Sequence, residues 1–429
     1  MNLNMEMTKY KLSDLCVSIT DGEHGSVKDD SRSTYFLLNN NNITESGIII
    51  NSKDRRISKS DFEKIHKRTN LECGDLVIAT CGTLGKTCVI KDTLINYEFS
   101  RSVGIIKCNQ KKLLPEYLHY FFLNPLVQSR IAGNAKGGVQ KHFYIGDMKD
   151  FEIQIPILAD QKKIASVLSA LDDKIALNKK MNQKLEAMAK RLYDYWFVQY
   201  DFPDKNGHPY KTTGGPMTYN PTLKREIPVG WEVKTLKECI KHINTGLNPR
   251  DNFVLGNGDI KYVTVKNLTM EGNIDFSGCD FIDEDALKKV HKRSDIAKGD
   301  VLYASICPLG RSYLINKDPV GWDINESVFS IRPNLDVISS EFLSVFLKDS
   351  AVVEKASKMA TGSIFKGIRI KELENMILAV PAKNVMESFS KQIKNLIELE
   401  HKNTEETTRL TTLRDKLLPL LMNGQVVVG

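Results

Sequence analysis

A chain of 429 residues, 41% hydrophobic and 26% charged, carries enough apolar material for two or three buried cores and is too evenly mixed to be fibrous or disordered. The net charge of +7 leans toward a polyanionic partner, though it bears on association and not on fold. There is no Cys-x-x-Cys pair, Cys73, Cys81 and Cys88 are spaced too loosely for a zinc ribbon, and Met1 to Leu12 has no apolar core, so the expectation is a cytoplasmic protein with reduced thiols, no metal, no signal peptide and no membrane span.

In chain order, Ile48-Ile49-Ile50, Leu76 to Ala79 and Val103 to Ile106 read as strands, being short apolar runs bounded by Gly, Asn and Asp. Pro115 to Leu123 reads as a helix with proline in its first turn, and Phe151 to Pro156 as a closing strand. The period then changes. From Asp160 to Trp196, Ile164, Leu168, Leu171 and Ile175 fall alternately four and three apart and Leu185 and Leu192 follow seven apart, with Asn178 and Asn182 in the same seam. Such a stripe predicts a long helix in a coiled coil or bundle, and a polar seam residue fixes register at some cost in stability. Phe202 to Pro209, Gly214-Gly215-Pro216 and Pro228 to Trp231 are dense in proline and glycine and read as an irregular linker.

After that linker the chain repeats itself. Gly74-Asp75 returns as Gly299-Asp300, 225 residues later. The same offset carries His66-Lys67-Arg68 onto His291-Lys292-Arg293, Leu84-Gly85 onto Leu309-Gly310, Ser102-Val103 onto Ser327-Val328, Pro156 onto Pro381 and Asn178 onto Asn403. Ser340 to Leu347 repeats the short helix and Met376 to Pro381 the closing strand. A second stripe from Ser388 to Met422 holds Phe389, Ile393, Leu396, Asn403, Leu410, Leu417 and Leu421. Two copies at so long a period are paired domains and not a solenoid. The expected fold is mixed α/β (α+β): globular domains at 1–156 and 231–381, a central long helix at 157–200, a linker at 201–230, and a C-terminal long helix and tail at 382–429. The two helices are expected to separate the domains as an antiparallel coiled coil, giving an internal pseudo-two-fold repeat.

No catalytic motif survives inspection. Gly85-Lys86-Thr87 resembles the end of a phosphate-binding loop, but the glycine required earlier is Thr80, and the second copy reads Gly310-Arg311-Ser312. Pro203-Asp204 followed by Glu232-Val233-Lys234 imitates a nuclease metal site, yet its first acid lies in the linker. Asp21, Glu23 and His24 suggest a metal only until compared with Asn244-Thr245-Gly246 in the second copy.

Two α/β domains, each followed by a heptad helix and neither holding an active site, resemble the specificity subunit of a type I restriction–modification enzyme. The most specific words are Ala159-Asp160-Gln161-Lys162-Lys163-Ile164-Ala165 through Leu171-Asp172-Asp173-Lys174-Ile175, Leu192 to Phe197 with Asp201-Phe202-Pro203, and the closing Leu417 to Gln425. Lys383 to Lys391 departs from the Gln-Lys-Lys-Ile-Ala pattern. The resemblance implies a non-catalytic subunit. Each domain would recognise one half of a split double-stranded DNA target, with the helices setting the spacer and docking two methylation subunits. Those partners would hold S-adenosylmethionine, and a restriction subunit would join with Mg²⁺ and ATP.

Pseudo-symmetry sorts the candidate DNA contacts, because phosphates look alike in both half-sites and bases do not. Basic residues kept in both copies are the phosphate candidates: Lys67 with Lys292, Arg68 with Arg293, Lys86 with Arg311, Lys141 with Lys366. Gln140, His142 and Tyr144 face Phe365, Gly367 and Arg369, and differing polar residues at such positions, Arg369 included, are the base-reading candidates. Two other classes stay open at this point: a scaffold that binds protein alone, and an enzyme that itself modifies DNA.

Overall fold

The computed structural model describes residues 5–44, 47–135, 141–362, 366–426 and 428. They fall into two compact units, Met1–Asn178 with Glu405–Gly429, and Lys179–Thr404.

In the first unit a four-stranded antiparallel sheet runs in the order Cys16–Asp21, Val103–Cys108, Leu76–Ala79, Thr87–Val89. Leu76–Ala79 is apolar at every position because the sheet is covered on both faces. Leu76 and Ile78 point to one core with Phe121, Phe143 and Phe151, while Val77 and Ala79 point to another with Tyr97, Phe99 and Ile105. A smaller sheet places Tyr35–Leu38 between Arg56–Ile57 and a parallel strand, Tyr97–Phe99. Thr8–Lys11 pairs with Glu152–Ile155, so the domain's first and last strands close on each other.

The first long helix, Leu158–Tyr193, begins against that closing strand. Gln161 explains the helix-start motif, being fully buried. Its Oε1 accepts from Leu114 N at 3.0 Å, and its Nε2 donates to the carbonyls of Lys112 at 2.9 Å and Pro156 at 3.0 Å. Ile164 and Leu168 then join a core that also holds Leu418, Leu421 and Met422 from the second long helix, Lys383–Met422. Each such aliphatic side chain contributes about 1.5–3 kcal/mol on burial. Within this unit the two helical segments run antiparallel: Arg414 Nη1 lies 2.8 Å from Asp172 Oδ1, and Asn178 Nδ2 donates to Glu406 Oε2 at 2.8 Å.

The second unit repeats this plan. Its sheet runs Ile240–Thr245, Val328–Pro333, Val301–Ala304, Ser312–Leu314, and Ile260–Val263 sits between Asp280–Ile282 and the parallel Trp322–Ile324. Glu232–Thr235 pairs with Ile377–Val380. Here residues 179–193 and 383–404 form the helical pair, joined by Asn403 Nδ2 donating to Asn182 Oδ1 at 2.9 Å and by Tyr193, Trp196 and Phe197 packing on Phe389. Of the seam residues, Ile164, Leu168, Ile175, Asn178, Leu185, Ile393 and Asn403 are buried, and Leu171, Leu192, Leu396, Leu410 and Leu417 are half-buried.

Two expectations are corrected. Only Ile48 of the first apolar run is strand, as the end of Gly47–Ile48 in a two-residue pairing with Ile43–Thr44, and Ile49 and Ile50 are exposed. The expected linker is ordered: Met217–Asn220 and Arg225–Pro228 form a hairpin, and Phe202 stacks on both Tyr210 and Trp231 inside the core. Its prolines and glycines set turns, while its aromatics supply the burial that holds them. The second long helix, Lys383–Met422, lies within the expected 382–429 and begins five residues ahead of the stripe that opens at Ser388.

Candidate nucleic-acid interface

The His-Lys-Arg triplets occupy the last turns of helices Lys59–Thr69 and Glu284–Ser294, where cations also suit the helix dipole. Ser58 and Asp283 cap the two N-termini, and left-handed Asn70 and Asp295 end them. A buried acid orients each triplet: His66 Nδ1 lies 2.7 Å from Glu98 Oε1, and His291 Nδ1 lies 3.0 Å from Asp323 Oδ2, with both carboxylates inaccessible to solvent. Burial raises the pKa of Glu98 and Asp323, and the histidines pull it back. A second acid–base pair is kept as well, Asp75 with Lys107 at 2.7 Å and Asp300 with Arg332 at 2.8 Å.

These pairs present the flanking cations unequally. Lys67, Lys292 and Arg293 are exposed, whereas Arg68 donates to the carbonyls of Asp21 at 2.9 Å and Gly22 at 2.7 Å. Gly22 and Gly246 allow the strand ends to approach closely, since a Cβ there would lie 2.0 Å from the Phe99 carbonyl oxygen and 1.7 Å from that of Ile324. Lys86 is half-buried. Its counterpart Arg311 is held by the carbonyls of Val265 at 2.7 Å and Pro308 at 3.2 Å, and burial lowers its pKa. Thr87, which ended the apparent phosphate loop, is buried with its hydroxyl 2.9 Å from His119 Nδ1. Lys141 and Lys366 are exposed.

Gln140 and Phe365 lie outside the described residues. His142 and Tyr144 stack with ring centroids 5.7 Å apart and line a cleft of about 380 Å³ with Asp21, His24, Arg101 and Ser102. Arg369 is exposed at the start of helix Ile370–Glu374. In the cleft His24 Nε2 meets Asp21 Oδ2 at 2.6 Å and Glu23 Oε1 accepts from Gly25 N at 2.7 Å. Among the described residues no group of three or more His, Cys, Asp and Glu side chains is placed to hold a metal. The cleft offers donors and stacked rings to a planar polar ligand. Sequence reasoning passed over Arg101, although a signal was present: it faces Glu326 across the register, beside the Ser-Val words that established it.

The comparisons bear on this directly. The family model described as type I restriction modification DNA specificity domain matches residues 4–187 and 228–409. The MjaIX specificity subunit of Methanocaldococcus jannaschii is 27% identical over 397 residues, covering 89% of this chain and 84% of that protein. The HindI specificity subunit of Haemophilus influenzae is 21% identical over 399 residues, covering 80% and 84%. In fold, the chain is similar to the type I restriction–modification S subunit from M. genitalium, with a TM-score of 0.62, 17% identity, and coverage of 98% and 97%.

Proposed function

The chain belongs to the family of type I restriction–modification DNA specificity subunits, and on that premise we propose that its two globular domains, residues 1–156 and 231–381, each read one half of a bipartite DNA target. The observation that carries this reading is the repeat itself: one strand order occurs twice, on shared helix caps and acid–base pairs, under turn and loop residues that differ. A scaffold kept alike beneath a diverging surface suits two readers of unlike sequences on a common backbone.

The long helices, in this reading, act as an antiparallel coiled-coil spacer and as the docking surface for two methylation subunits, whose like copies a pseudo-two-fold chain can receive. Those subunits bring S-adenosylmethionine, and a restriction subunit brings ATP- and Mg²⁺-dependent cleavage. Lys67, Lys141, Lys292, Arg293 and Lys366, which are exposed, are the stronger phosphate candidates; Arg68 and Arg311 are engaged on backbone carbonyls.

The test is exchange of residues 1–156 for the matching domain of a relative, expressed with the methylation subunit and read by modified-base sequencing of host DNA. One half of the methylated motif should change and the other stay. Simultaneous change of both halves, or no motif from the parent chain, would overturn the proposal.

A further inference from the structure

Within that reading, and resting on it, we propose that Arg101 is a base-reading residue of the first domain and takes a guanine edge in the major groove. Arg101 stands in the tight turn between Tyr97–Phe99 and Val103–Cys108. The turn is held from three sides: Arg101 N donates to the Glu23 carbonyl at 2.9 Å, Thr80 N to the Ser102 carbonyl at 3.0 Å, and Thr80 Oγ1 to the Arg101 carbonyl at 3.3 Å. Its backbone is therefore fixed by the sheet beneath it while its side chain is exposed at the cleft shared with His142 and Tyr144.

The other charged groups of that cleft are already occupied. Asp21 holds His24 at 2.6 Å and its carbonyl receives Arg68. Among the described residues the Arg101 guanidinium makes no hydrogen bond or ion pair. It presents a planar fork of donors beside two stacked rings, which is the geometry that matches guanine O6 and N7 together. A phosphate contact would call for a cation in both copies. The second domain instead has Glu326 on the equivalent turn, held in the same way by Ser305 N donating to the Ser327 carbonyl at 3.0 Å. Glu326 is half-buried, and its Oε2 is inaccessible to solvent with no hydrogen-bond partner among the described residues. A carboxylate accepts only, so the second domain cannot read guanine O6 and N7 from this position. One turn, present twice, carries opposite hydrogen-bonding character.

The experiment uses the full chain assembled with its methylation subunits. The parent motif is first read by modified-base sequencing, and the half belonging to the first domain is identified by the domain exchange above. Binding is then measured on duplexes replaced one base pair at a time in that half. Arg101→Lys keeps the charge and loses the fork, Arg101→Gln substitutes an adenine-type reader, and thermal melting verifies that both fold. Discrimination at a single G·C pair should fall between roughly fivefold and a hundredfold in Arg101→Lys, with the second half-site unchanged. Arg101→Gln should shift preference there toward adenine. Equal weakening on every duplex, or unchanged discrimination at every position, would overturn the assignment while leaving the two-reader proposal standing. Absence of a bipartite motif from the parent chain would remove both.

Discussion

The two units solve one junction in two ways. In the first, the long helix is fastened to its domain by Gln161, whose amide bridges Leu114 N and the carbonyls of Lys112 and Pro156. In the second, the equivalent residue is Met386, buried and in sulfur contact with the Ser339 hydroxyl at 3.8 Å, while Ser390 donates to Ser339 at 2.6 Å. A similar exchange recurs further along. Asp172 pairs with Arg414 in the first unit, where the second has Ile397 and Ala189, and the second has Glu400 where the first buries Ile175. The two copies of the interface thus exchange polar and apolar partners in both directions, and loss of the Gln-Lys-Lys-Ile-Ala motif did not cost the second helix its seat.

The largest test of that contrast is at the clamp. Gln161→Met leaves a backbone N–H and two carbonyls without partners, at about 1–3 kcal/mol for each buried group. A loss on the order of 3 kcal/mol or more from the first unit is expected in urea unfolding of the full chain. Met386→Leu, which conserves volume and gives up only the weak contact of the Ser339 hydroxyl with sulfur, should cost under about 1.5 kcal/mol. Equal losses at both sites would show that the hydrogen bonds contribute nothing beyond packing.

The repeat was legible because it is written in words that survive divergence: Gly74-Asp75 with Gly299-Asp300, and Ser102-Val103 with Ser327-Val328. Strands covered on both faces, such as Leu76–Ala79, announced themselves as continuous apolar runs. The heptad stripes marked the helices, although the starts came earlier than the apolar pattern, since Lys383 to Glu387 is tied in by Val385 and Met386 alone. The hairpin at 217–228 was hidden because proline and glycine report turns and say nothing of the aromatic packing that orders them. The reason for the His-Lys-Arg triplets was invisible too: Glu98 reaches His66 only through the parallel pairing of Tyr35–Leu38 with Tyr97–Phe99. Arg101 carried a signal in facing Glu326 across the register, but its place beside His142 is a product of tertiary structure.

A smaller effect should separate the units by pH. Burial pushes the pKa of Glu400 up to about 7, with Glu186 adding to the rise and Lys348 opposing it; Lys190, Tyr193 and Asp349 line the same cavity of about 250 Å³. The folded value lies above that of a free glutamate, so the stabilisation is present in full below the unfolded pKa and is lost as pH rises through about 7. The second unit should therefore melt lower at pH 8 than at pH 6, by about 2–4 °C for each kcal/mol lost. Glu400→Gln should flatten that dependence. The first unit, with Ile175 at the equivalent position, should show none from this source. A pH 6 to 8 difference that persists in Glu400→Gln would assign it to another group.

The smallest expected change concerns the surface, where the copies also diverge. Lys141 is exposed, so Lys141→Ala should weaken binding to all duplexes alike and reduce the salt slope by about one for the lost phosphate contact. Lys86 is half-buried and its counterpart Arg311 is wrapped by the carbonyls of Val265 and Pro308. Arg311→Ala should then leave the salt slope near its original value and appear instead as lost stability of the second unit, because two carbonyl oxygens lose their donor. Lys86→Ala decides between the two behaviours at a shared position. If it follows Lys141 in the binding assay while Arg311 follows the stability assay, one ancestral position has come to serve DNA in one domain and the fold in the other. A salt slope lowered equally by Lys86→Ala and Arg311→Ala would show instead that both cations reach phosphate, and that the carbonyl contacts of Arg311 yield when DNA binds.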